Sequence, residues 1–228
     1  MRIKLLFPLF ILLVLFYSCS SMPTDKNDTE NSLTNIDENG NVISNKTDEV
    51  EFIEYILGTW NNNQFSSSWY GFSFTPLADM KPIPEKDIKN INAQQSRAFD
   101  GPGAEFYEYK DMQIVHEVVA STEDESILVN VLTEKSFQDD LTVEEYAEIL
   151  REELKITHGR NIEFEENVFT KIGNYDYYTV TAKINIDGIT KYETICLDGK
   201  SQRFATVLFE YTSKEQLPEL LSCFIPYK

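Results

Sequence analysis

The apolar positions of this chain change period several times, and each change marks an element. Between Trp69 and Thr75, Tyr70, Phe72 and Phe74 alternate with Trp69, Gly71, Ser73 and Thr75, and Pro76 ends the run. Alternation of this kind predicts a half-buried strand. Pro82–Gln95 is polar and helix-tolerant, with Ile83, Ile88 and Ile91 as its apolar points, and Asp100–Gly103 is a loop. Three β-rich runs follow: Glu105–Lys110, Met112–Ala120 and Ser126–Thr133. The period then lengthens. Thr142-Val143-Glu144-Glu145 is a capping box, and Val143, Tyr146, Ala147, Leu150 and Leu154 form one helical stripe that Gly159 can close.

Alternation then returns. Ile162–Lys171 and Tyr175–Ile186 read as strands separated by Gly173-Asn174, and turn signals follow at Asp187-Gly188 and Asp198-Gly199. Tyr175–Ile186, Thr190–Leu197 and Arg203–Tyr211 should therefore form a meander, with Ala205, Val207, Phe209 and Tyr211 on one face. Ser213–Phe224 takes helical spacing through Leu217, Leu220, Leu221 and Phe224. Ser213–Gln216 offers a second capping box, and Pro218 argues for a start later than Ser213. Strands and helices in this order predict an α+β domain at residues 51–228, with helices flanking an antiparallel sheet.

The ends of the chain add a location. Arg2 and Lys4 precede thirteen apolar residues, Leu5–Tyr17, too few to span a bilayer core comfortably but suited to a secretory signal. Ser18-Cys19 at the end of that run resembles the lipobox of bacterial lipoproteins. The resemblance implies a signal peptide at 1–18, cleavage before Cys19, and acyl chains on Cys19 that anchor the protein to the outer side of the cell membrane. Residues 19–50 are acidic and polar with no aromatic, a composition that predicts a disordered tether with a reach of roughly 30 Å. Within it, Asp37, Asn39 and Asn41 mimic the start of a calcium loop. Val42 stands where that loop needs Gly and Asp48 where it needs Glu, so a turn is the better reading. Without residues 1–18 the chain has 18 basic and 38 acidic residues, a net charge of −20. That argues against nucleic acid and against electrostatic landing on anionic lipid, leaving the acyl chains as the membrane contact. In an exported protein the pair Cys196 and Cys223 allows a disulfide that would pin helix to sheet; two small buried hydrophobes are the alternative.

Gly58-Thr59-Trp60 is similar to the Gly-x-Trp of lipocalins and avidins, but a mid-chain helix splitting the strands does not suit such a barrel. A wider set of motifs resembles the PsbP-like (Mog-type) family, and within it extracellular lipoproteins of low-GC Gram-positive bacteria. It comprises Gly58-Thr59-Trp60…Phe65-Ser66-Ser67, the strand Tyr70–Pro76, the helix start Thr142–Tyr146, the bend Lys171–Tyr175 and the closing helix. The resemblance implies a sandwich of antiparallel sheet and helices and an accessory or binding role, with no catalytic residue to carry over.

Candidate chemistry is sparse. His116 and Glu117 are adjacent on a strand and by alternation point to opposite faces, so they should not share a site. His158 suits a helix C-terminus. No HExxH, CxxC pair or Gly-x-Ser-x-Gly is present, and no cofactor motif. Glu123–Glu125 and Asp139-Asp140 read as solvated turns and caps. Tyr175 and Tyr177 share a strand face that is either a contact surface or sheet packing. The expectation is a tethered, non-enzymatic accessory or binding domain, its partner a surface or secreted protein or an envelope component. One alternative is a carrier of small apolar ligands using Trp60 and Trp69, and another a hydrolase without a recognisable motif.

Overall fold

Hydrophobic alternation on strands of two different lengths builds two antiparallel sheets, one short and one long. The computed structural model describes residues 54–228 apart from Phe137, Asp139, Asp140, Asp187 and Ser201. The signal, Cys19, the tether, the calcium-like turn and Asp139-Asp140 lie outside the described residues.

The small sheet has the order β1-β2-β3-β12, from Thr59–Asn61, Gln64–Ser67, Phe72–Phe74 and Phe224–Pro226. β1 and β2 form a hairpin that alternation did not announce. Asn61 pairs with Gln64 across Asn62-Asn63, and Asn62 takes φ 55°, a conformation that Asn tolerates better than most residues. The third strand is shorter than the run that predicted it, because residues 68–71 form a turn and Gly71 has φ 73°.

The large sheet runs β4-β5-β6-β11-β10-β9-β7, with β8 also on β9. Its strands are β4 Lys81–Pro82, β5 Ile114–Ser121, β6 Leu128–Lys135, β7 Ile162–Phe164, β8 Val168–Ile172, β9 Tyr175–Ile186, β10 Ile189–Lys200 and β11 Arg203–Tyr211. One face of it meets the small sheet. Phe65, Trp69, Tyr70, Phe72 and Phe74 pack there with Val118, Val129, Val131, Ala205, Val207, Phe209 and Tyr211 as one buried cluster. Each such aromatic withdrawn from water contributes about 1.5–3 kcal/mol. The helices α1 Glu85–Phe99 and α2 Val143–His158 pack against the large sheet, α1 beside β5 and α2 across β9 and β10. The class is α+β, as the periodicity predicts.

The capping box of α2 is present in full, with the Thr142 hydroxyl accepting from Glu145 N–H and the Glu145 carboxylate accepting from Thr142 N–H. α1 is less legible because its buried face is Ile88, Asn92, Gln95 and Ser96, a helical stripe that is mostly polar. α3, Gln216–Ser222, is shorter than the spacing suggests. Only half of its capping box forms: Gln216 accepts from the Thr212 and Ser213 amides. Phe224 belongs to β12, where it packs edge-on to Phe72 at 4.8 Å.

Three expected strand features are corrected. Residues 105–110 are a 3₁₀ turn, Ala104–Phe106, followed by further turns whose carbonyls at Tyr109, Lys110 and Met112 accept from Arg203. The run 162–171 breaks into β7 and β8, which pair with separate parts of β9. Asp198-Gly199 is strand, not turn: Asp198 pairs with Ala205, Gly199 with Phe204 and Lys200 with Arg203, so the reversal falls at 201–202. Glycine at 199 serves close approach, since a Cβ there would lie 3.0 Å from Val143 at the start of α2.

Of the two readings of the cysteine pair, the structure shows the unbridged one. Cys196 and Cys223 are free and buried. The Cys196 thiol takes a hydrogen bond from Thr179 at 3.5 Å, while Cys223 reaches back to the Glu219 carbonyl at 3.6 Å, so each sulfur is satisfied within its own element pair.

Candidate functional site

A cavity of about 430 Å³ opens where the β1–β2 hairpin, the first turns of α1 and the edge of β5 meet. Three sequence features build it. On α1, Glu85, Ile88 and Lys89 fall at i, i+3 and i+4, so one helix face supplies all three. On the hairpin side stand Leu57, Gly58, Thr59, Trp60 and Phe65. Gly58 is glycine because the Phe65 ring lies over it and any Cβ would collide with that ring. Trp60, 36% exposed, packs on Phe65 with ring centroids 5.7 Å apart.

The third wall is an irregular stretch of β5. His116 pairs with Leu132 and Val118 with Val131, so Glu117 is an extra residue in a β-bulge. A bulge re-aims side chains: here Glu117 joins Val118 on the side toward the small sheet, while His116 keeps the side of Leu132 and Asn130, and both residues border the cavity at this strand edge. Their expected placement on opposite faces therefore stands: His116 bonds Asn130 on the face of Leu132, and Glu117 bonds Tyr55 and Gly58 on the other, although both border one cavity. The local edge is held by Asn92 of α1, whose side-chain amide accepts from His116 N–H at 2.8 Å and donates to His116 C=O at 2.9 Å. One side chain thus replaces a neighbouring strand.

Glu117 is 8% exposed. Its carboxylate accepts from the Tyr55 hydroxyl at 2.9 Å and from Gly58 N–H at 2.6 Å. Burial lifts its pKa to about 7, against the lowering effect of these hydrogen bonds and of Arg203. Arg203 lies over the Tyr55 ring at 4.9 Å and, through its bonds to the 109–112 carbonyls, holds Tyr109 at the cavity wall. Burial pushes the His116 pKa down, and its Nδ1 lies 3.0 Å from Asn130 Oδ1. At the mouth Lys89 is paired with Glu85 at 2.6 Å, both largely exposed.

Of the four candidate contact residues Trp60, Trp69, Tyr175 and Tyr177, only Trp60 lines this cavity. Trp69 is covered, 3% exposed, with Tyr55 edge-on at 5.4 Å and Lys200 at 5.7 Å from its ring. Lys200 donates to Trp69 C=O at 2.5 Å, sits 3.5 Å from the Tyr175 ring centroid and pairs with Asp198 at 3.2 Å. Tyr177 is fully buried and donates to Tyr70 C=O at 2.8 Å. Tyr177 is thus sheet packing, whereas Tyr175 stays 38% exposed beside Lys200. His158 is buried at the end of α2. Tyr55, Glu85, Lys89 and Tyr109 were not foreseen. The one signal pointing toward them is the His116-Glu117 pair interrupting an apolar strand.

A second buried acidic group lies beneath α2. Tyr146 donates to Glu134 at 2.5 Å and stacks on Phe204 at 4.2 Å. Burial lifts both Glu134 and Glu153 to about 7, with their mutual repulsion adding to Glu153. Among the described residues no group of three or more His, Cys, Asp or Glu side chains is placed to hold a metal. No described helix is long and apolar enough to cross a membrane.

No family model matches the chain, and no curated protein does. Among solved structures it is similar to the cyanobacterial PsbP protein CyanoP of Synechocystis, at 11% identity and TM-score 0.45, covering 75% of this chain and 99% of that one. A Bacteroides thetaiotaomicron protein matches at 10% and 0.37, covering 73% and 48%. LpqN of Mycobacterium tuberculosis, described as involved in cell envelope biogenesis, matches at 10% and 0.34, covering 67% and 76%.

Proposed function

We propose that this protein is an extracytoplasmic binding module, tethered to the membrane through acylated Cys19, whose ligand seat is the cleft beside Trp60. The cleft itself supports the binding reading. Its volume of about 430 Å³ falls within the range of small-molecule sites, as does its build of apolar walls around a few convergent polar groups. The tether rests on the apolar run ending at Ser18-Cys19 and on the polar stretch after it.

A hydrolytic reading gains the joint presence of His116 and Glu117 in one cleft. Both are already engaged, His116 with Asn130 and Glu117 with Tyr55 and Gly58. Neither Ser nor Cys lines the cavity as a nucleophile. A protein-partner reading gains exposed apolar side chains where β8 and β12 adjoin: Val168, Phe169, Ile225 and Tyr227.

A thermal-shift screen of small molecules on the full chain tests the cleft. Hits should lose their effect in Trp60→Ala; hits indifferent to that change would place the ligand elsewhere. Crosslinking on intact cells tests the β8–β12 surface, and loss of crosslinks in Phe169→Ser is expected if a protein docks there. Cys19→Ser should release the protein from the membrane; retention with wild-type processing would refute the anchor.

A further inference from the structure

The charges around the cleft do not balance, and the imbalance selects a ligand class. Lys89 is the cation in the lining, and Glu85 already neutralises it at 2.6 Å. Glu117 enters no ion pair among the described residues, although its two oxygens accept from Tyr55 and Gly58. The Tyr70 hydroxyl also lies close enough to lower the Glu117 pKa; a carboxylate has about four acceptor positions, so one remains. The groups facing Glu117 from the surrounding elements are Tyr55 and Tyr70 from the N-terminal segment and turn, Arg203 from β11, and His116 beside it on β5. Arg203 spends its hydrogen bonds on the carbonyls of Tyr109, Lys110 and Met112 and lies over Tyr55, so it lowers the cost of the Glu117 charge without pairing with it. Burial disfavours the charged form of His116. The aromatic rings of Trp60, Phe65 and Tyr109 border the same space, and ring faces attract cations, Trp most strongly. The chain carries a net charge of −18, which draws cations toward any cleft.

The geometry points to a small organic ammonium ion as the ligand: an amine carrying a compact apolar or aromatic group, its nitrogen toward Glu117 and its body against Trp60. This inference rests on the cleft being the binding seat. A cation at Glu117 favours the ionised carboxyl, so binding releases a proton below the pKa of the free group, which lies at about 7. Affinity should therefore rise about tenfold between pH 6 and pH 8. Burial lowers the His116 pKa, so its charging is weakened at the acid end of this window.

Three probes of one shape separate the alternatives by calorimetry on the full chain in detergent: phenethylamine, 2-phenylethanol and phenylacetate. Phenethylamine should bind at least tenfold more tightly than the alcohol, phenylacetate should not bind, and Glu117→Gln should erase the amine's advantage and its pH dependence. If Glu117→Gln fails to fold, the probe order and pH profile of the unaltered chain decide. Equal binding of amine and alcohol, each lost in Trp60→Ala, would overturn the ammonium inference and leave the cleft standing. Amine binding that survives Trp60→Ala unchanged would remove both.

Discussion

Two tryptophans nine residues apart meet opposite fates. Trp69 is closed in by Tyr55 and Lys200, while Trp60 stands on a hairpin at the sheet edge and faces a cleft. Both sit in the same aromatic-rich stretch, so local composition does not separate them. What separates them is the return of distant chain. β10 brings Lys200 over Trp69, 131 residues away, whereas the ring that packs on Trp60 is the local Phe65 across the hairpin. The closed side is apolar sandwich core; the open side keeps an acid, a histidine and an ion pair around a cavity.

The largest expected contrast is in stability. Phe72 is fully buried among Phe65, Tyr70 and Phe224. Phe72→Ala should cost about 3–5 kcal/mol in urea unfolding; a loss under about 1 kcal/mol would mean that the two sheets do not share this core.

Protonation comes next. Glu117, Glu134 and Glu153 are lifted to about 7 and Glu193 to about 8, all by burial. In that range the folded state binds more protons than the unfolded state, whose carboxyls titrate near 4.5, so stability falls as pH rises through the folded values. Below 6.5 the depressed His116 and His158 oppose this. Acidifying from pH 8 to pH 6.5 should therefore raise Tm, by free energy on the order of 2 kcal/mol. Glu134→Gln should flatten the slope, and a Tm that rises with pH would contradict the burial of these acids.

A smaller effect is expected at the hinge between the two regions. Gly58→Ala forces the Phe65 ring aside and should cost about 1–3 kcal/mol. It should also shift Trp60 fluorescence, since Trp60 packs on that ring; an unchanged spectrum would show that Gly58 does not shape the cleft. Smallest of all, Trp60→Phe should alter stability by no more than about 0.5 kcal/mol yet remove the acrylamide-quenchable part of the emission. Quenching that persists would mean Trp69 is open.

Much of the architecture was legible from the chain. The α2 capping box, its stripe and the β9–β11 meander are local patterns, and local patterns suffice where side-chain spacing and backbone hydrogen bonding agree. The miss at Asp198-Gly199 shows the limit. A turn dipeptide was overruled because pairing of Asp198–Lys200 with Arg203–Ala205 continued the ladder and α2 needed a residue without a side chain at 199. The cleft was almost illegible. Alternation correctly placed His116 and Glu117 apart but did not show that both border one cavity, because that cavity is closed by α1 and the β1–β2 hairpin, which come from distant chain.

Sequence alone determined the α+β class, the most secure helix and meander, and the expectation of a signal and lipid anchor, because each depends on neighbours within a few residues. Tertiary structure decided which tryptophan is open, that Cys196 and Cys223 stay unbridged, and that a buried acid faces a cavity. Those outcomes depend on contacts between residues far apart in the chain, and no local period encodes them.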